Sequence, residues 1–76
     1  MRPEQIRELI ERALPGATVE VRGDDGAHFE ATVVCAAFEG EAPLARHRMV
    51  YAALGPSVGA EIHALALRTL APAERR

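Results

Sequence analysis

Apolar residues recur at helical spacing near the start of the chain. Ile6, Leu9, Ile10, Ala13 and Leu14 fall at i, i+3, i+4, i+7 and i+8, which is one stripe of a helix over residues 3–14. Pro3 suits the first turn, where its missing N–H has no partner to lose. Glu4 and Glu8 lie near the positive end of the helix dipole. Pro15-Gly16 stops the helix. The period then changes to two. Thr18–Arg22 alternates with Val19 and Val21 inward, and Gly23-Asp24-Asp25-Gly26 supplies turn chemistry for a hairpin. Residues 27–35 resume the alternation. Phe29, Ala31, Val33 and Cys35 lie on one face; His28, Glu30, Thr32 and Val34 lie on the other. Val34 interrupts the polar face and predicts that part of that face is covered too.

Phe38-Glu39-Gly40-Glu41 reads as a loop. Pro43 opens a second helix over residues 43–54, with Leu44, Val50, Tyr51 and Leu54 as its expected core residues, and Gly55-Pro56 ends it. Residues 56–60 allow one short helical turn. A third strand runs from Ile62 to Thr69, and Ala71-Pro72-Ala73-Glu74 starts a helix that the chain barely continues. A strand joined to the next through helices makes a right-handed crossover, so the second and third strands are expected to be parallel. The pattern predicts an α/β domain: a three-stranded mixed sheet with helices on one face and an open face opposite.

With 76 residues there is room for a single domain, residues 1–76, and no two-domain cleft. Alanine supplies 15 of the apolar residues; setting aside these and the one cysteine leaves 21 larger apolar side chains, a thin core in which each member counts. All nine basic residues are arginine, and against 11 acids the net charge is -2. Such a balance gives no overall attraction for nucleic acid. The lone Cys35 cannot form an intrachain disulfide, which fits a reducing compartment, and its place among core residues reads as a small buried thiol. No apolar run approaches the ~20 residues of a membrane span, and the first dozen residues lack the apolar stretch of a leader. The expectation is a cytoplasmic protein that makes no membrane contact.

The runs His28-Phe29-Glu30, Val33-Val34, Phe38-Glu39-Gly40, Leu44 through Tyr51, Ile62-His63-Ala64-Leu65, and Thr69 together resemble the BolA family, over nearly the whole chain. The short loop before His28 is similar to the short-loop bacterial type. The resemblance implies a class II KH-like fold of order αββααβ with a short last helix. It also implies partnership with a monothiol glutaredoxin. There a [2Fe–2S] cluster is shared between the glutaredoxin cysteine, glutathione and ligands from the BolA-like chain, in iron sensing or cluster transfer. None is expected in the isolated protein. In some bacterial members the resemblance extends to DNA-linked control of morphology and stress.

Under that resemblance His63 matches the family's C-terminal histidine ligand. The second ligand, His or Cys, belongs to the loop between the first two strands, and Gly23-Asp24-Asp25-Gly26 contains neither. Asp25 falls where Cys-type members carry cysteine, and His28 matches a histidine common in many members, so both stand as candidates. Read without the family, His63 is a strand residue on the Leu65/Leu67 side, His28 a surface or hairpin residue, and Asp25 an oxygen donor poorly matched to a sulfur-rich cluster. Arg46, His47 and Arg48 make a basic spot on the second helix: either a solvated face or a docking surface for the glutaredoxin and glutathione carboxylates. No nucleophile–base set has an interpretable spacing, so no catalytic activity is expected. A DNA-binding role is the rival reading. Gly55-Pro56-Ser57-Val58-Gly59 is one residue too long for a GXXG clamp and carries no basic side chain, which leaves Arg22, Arg46 and Arg48 as its only contacts.

Overall fold

The computed structural model describes residues 1–75. The N-terminal stripe folds as α1, Pro3–Ala13, with Ile6 and Ile10 fully buried and Leu9 packed beside them. Ala13 faces solvent, and the buried Leu14 completes the stripe from the residue after the helix. At the other end the Gln5 side-chain oxygen accepts the Arg2 N–H at 2.7 Å, occupying an amide that the helix leaves free.

The alternating segments form β1, Thr18–Arg22, and β2, His28–Val34. They pair antiparallel, while β2 pairs parallel with β3, Ala64–Leu70, so β2 is central. This is the mixed sheet expected, and the parallel pair follows from the crossover through α2, Pro43–Leu54. Helix α1 packs on β1 and α2, and α2 on α1 and β3. Between helices and sheet lie Phe29, Val33, Cys35, Val50 and Leu54. The opposite face carries rows set by the register: Arg22–Glu30–Ala66, Glu20–Thr32–Arg68 and Thr18–Val34–Leu70. Val34 is buried there, and Thr18, Leu70 and Arg75 line the same hollow, which accounts for the break in alternation.

Helix α2 buries Val50 and Leu54 as expected, but not the other two residues of the expected stripe. Leu44 is 63% exposed and Tyr51 39%, whereas Arg46, Val50 and Leu54, spaced four apart, face inward. Arg46 is tolerated because each of its three guanidinium nitrogens has a hydrogen-bond partner. Nη1 and Nη2 donate to the two Glu74 carboxylate oxygens at 2.6 and 3.0 Å, and Nε donates to the Glu41 carbonyl at 2.8 Å. Its Cζ also lies 5.9 Å from the Phe38 ring centroid. Phe38 itself leaves the loop predicted for it. It ends a 3-10 turn, Ala36–Phe38, and is completely buried.

Strand β3 begins two residues later than its sequence pattern suggests. Ile62 closes a local loop instead. Its N–H donates to the Ser57 carbonyl at 3.0 Å, and its own carbonyl accepts from Gly59 N–H at 3.0 Å. The helical turn expected over 56–60 is a 3-10 turn at Gly55–Ser57 followed by this loop. A third short 3-10 turn, Pro72–Glu74, follows β3 and carries the carboxylate that meets Arg46. Among the described residues no helix is long and apolar enough to cross a membrane.

Candidate functional site

Three polar side chains from two distant parts of the chain meet at one end of the central strand. The ladder between β1 and β2 stops at Arg22 and Glu30, so His28 extends beyond β1 and pairs only with Ala64 of β3. The Ala27 carbonyl accepts N–H bonds from both His63 and Ala64, at 2.9 and 3.2 Å. This shared acceptor ties the hairpin loop to the entrance of β3 and brings His63 beside His28. Their rings stack with centroids 6.5 Å apart and planes 26° from parallel, and both side chains are exposed. His63 is therefore not the inward strand residue that alternation alone suggests. The buried position at this entrance belongs to Ile62, only 1% exposed, and His63 precedes the strand.

Asp25 is the third member. Its Oδ1 accepts the Ala27 and His28 backbone N–H groups at 2.9 and 2.8 Å, and its Oδ2 lies 2.7 Å from His28 Nδ1. Gly26, at φ +77°, reverses the chain so that both amides turn back onto the carboxylate. The His28 amide, the Ala27 amide and then the His28 ring hold the Asp25 carboxyl well below the usual carboxylate range. With both oxygens engaged inside the loop, Asp25 is an acceptor for its neighbours, unlike the free oxygen donor considered from sequence. An aspartate three residues before a histidine, with glycine between, is the signal that marks such an Asx-type turn.

The basic spot on α2 divides. Arg46 is a buried strut to Glu74, which takes it out of the exposed basic spot expected from the sequence. Arg48 is exposed and His47 half-buried. Cys35 is buried with a free thiol and lies apart from the histidines, in the core cluster.

Among the described residues no three His, Cys, Asp or Glu side chains converge as a ligand set. His28 and His63 instead present two imidazole rings side by side at this exposed edge of the sheet. Metal–nitrogen bonds of about 2 Å place two rings on one tetrahedral centre with centroids about 5 Å apart. The observed centroids lie 6.5 Å apart, farther than that arrangement requires.

Comparison with known proteins agrees with the architecture. The family model described as BolA-like protein matches residues 10–74. Human BolA-like protein 1 is 40% identical over 80 residues, covering 93% of this chain and 58% of that protein. The chain thus spans somewhat under two thirds of the length of that relative. A Vibrio cholerae protein named DNA-binding transcriptional regulator BolA is 46% identical over 48 residues, covering 63% of this chain and 44% of the relative. Among solved structures, a bolA protein homologue from Coxiella burnetii superposes with a TM-score of 0.85 at 45% identity, covering 97% of this chain and 95% of that one. An α/β chain of this order, matched by the family model over most of its length, belongs to the BolA-like protein family.

Proposed function

We propose that this chain is a non-enzymatic partner of a monothiol glutaredoxin, completing a shared [2Fe–2S] cluster as an adaptor for cluster transfer or as an iron or redox sensor. The observation that carries the reading is the exposed pair His28 and His63 at one edge of the sheet, 6.5 Å between ring centroids. In it His63 and His28 supply two nitrogen ligands, while the glutaredoxin cysteine and glutathione supply the other two. The cluster, when bound, supplies electron-transfer and iron-release chemistry, and imidazole in place of thiolate raises its potential. The part played by this chain is positional. The Ala27 carbonyl holds both histidine-bearing segments together, and Ile62 roots the second of them in the core. Arg48 and His47 on α2 remain as candidate contacts to the partner protein or to the glutathione carboxylates. Localisation in the cytoplasm, where thiols stay reduced, belongs to the same reading.

The test is a titration of cluster-loaded monothiol glutaredoxin with this protein, followed by visible absorption and circular dichroism. The spectrum changes with the wild type and reverts with His63→Ala. Identical spectra for the two proteins would remove the adaptor role.

The Vibrio relative's name favours a second reading, DNA binding. Arg46 is buried against Glu74 and Arg22 is paired with Glu20 at 2.8 Å, which leaves Arg48 as the one of the three with no ion pair among the described residues. Binding to duplex DNA that weakens steeply between low and moderate salt supports this reading; no binding at micromolar protein removes it.

A further inference from the structure

Resting on the half-site just described, we propose that Asp25 is a positioning residue: it fixes the ring of His28 with Nδ1 protonated and turned inward, leaving Nε2 as the outward nitrogen donor. Three hydrogen bonds define the arrangement. The two backbone amides on Oδ1, from Ala27 and His28, lock the carboxylate against its own loop. Oδ2 is left facing His28 Nδ1 at 2.7 Å. An ionised carboxylate only accepts hydrogen bonds, so the nitrogen that meets it must carry the proton. In the neutral imidazole the lone pair then lies on Nε2, across the ring from the loop. A lone pair there is what a metal requires, and a carboxylate on the second ring nitrogen both orients the ring and raises its basicity. Asp25 thus serves the centre without ligating it, in the loop where a thiolate or imidazole ligand was expected.

The tautomer can be read on the isolated protein by long-range nitrogen–proton NMR at about pH 8.5, well above the ordinary imidazole range near 6.5. His28 is expected in the Nδ1–H form. Asp25→Asn keeps an oxygen for the two loop amides but presents an NH2 donor to the ring, and the His28 proton moves to Nε2. Asp24→Asn, which removes the same charge one residue away, leaves the tautomer as in the wild type. Unchanged Ala27 and His28 amide resonances in Asp25→Asn show that the loop has kept its shape. Titrated against cluster-loaded glutaredoxin, Asp25→Asn requires about 10–100-fold more protein than the wild type to reach the same spectral change. A wild-type His28 protonated at Nε2, a tautomer indifferent to Asp25→Asn, or an inverted tautomer with an unchanged titration would each overturn the role given to Asp25. Failure of the underlying reading has a separate signature: His28→Ala then leaves the mixed-cluster spectrum untouched, whatever the tautomer.

Discussion

Ile62 joins the hydrophobic core to the segment that presents His63, and shortening it to alanine measures that connection. The side chain is 1% exposed and belongs to the core cluster with Phe29, Phe38 and Val50. Three carbons are lost at ~0.8 kcal/mol each, a transfer term of about 2.4 kcal/mol. The space left behind adds to this, since rigid surroundings collapse only in part, and large-to-alanine changes in cores cost about 2–5 kcal/mol. About 3 kcal/mol is therefore expected for Ile62→Ala, which lowers the Tm of a domain this small by roughly 12–24 °C. Ile62→Val removes one methylene and is expected to cost only ~0.5–1.5 kcal/mol. Urea melts followed by far-UV circular dichroism give both values, with the slope of the transition checking that the unfolded state has not changed. His63 resonances should shift more in Ile62→Ala than in Val33→Ala, whose fully buried side chain lies in the middle of the sheet. A loss below about 1 kcal/mol for Ile62→Ala would refute the view that this residue anchors the loop, because even the transfer term exceeds it.

The Arg46–Glu74 pair makes stability depend on acid. Glu74 is held at about 2, below its ordinary 4.5, by the Arg46 guanidinium first and then by the Ala71 amide. A carboxyl whose folded pKa is depressed contributes stability that is complete above the unfolded value and is lost as pH falls toward the folded one. The wild type should therefore weaken between about pH 4.5 and 2 more steeply than Arg46→Met, as read from denaturant midpoints along the pH series; parallel curves would contradict the pairing. Gly23→Ala tests a close approach at the hairpin. An added Cβ would lie 2.6 Å from Phe29 Cδ1 and 2.7 Å from the His28 carbonyl oxygen, so backbone or ring must shift. The expected cost is ~1–3 kcal/mol, with displaced Phe29 and His28 resonances; a neutral substitution would show that the hairpin is looser than described.

Most of the scaffold could be read from local signals, and the misses share a cause. Helix α2 has the expected bounds because Pro43 and Gly55-Pro56 act within the segment itself. Strand β1 likewise follows from five alternating residues. The buried stripe of α2 was legible only in part because it runs through an arginine whose partner, Glu74, is 28 residues away and outside any local window. With a charged residue inward, Leu44 and Tyr51 looked like core although they face solvent. Phe38, a single aromatic among turn residues, offers no period to read, yet it is fully buried and faces Arg46. At the site, residue types were visible but their relation was not. The parallel register that sets His28 opposite Ala64 depends on a crossover, and only the shared Ala27 carbonyl shows how His63 reaches it. The Asx-type signal before His28 was present in the sequence. What it lacked was the second ring, which gives the oriented imidazole a neighbour.

The most direct measurement is nitrogen hyperfine spectroscopy on the reduced cluster formed when this protein is mixed with a cluster-loaded monothiol glutaredoxin. Two strongly coupled imidazole nitrogens are predicted in the wild type, one in either single variant, His28→Ala or His63→Ala, and none when both are replaced. A spectrum without strong nitrogen coupling, or couplings that persist in the double variant, would mean that these two rings do not bind the cluster.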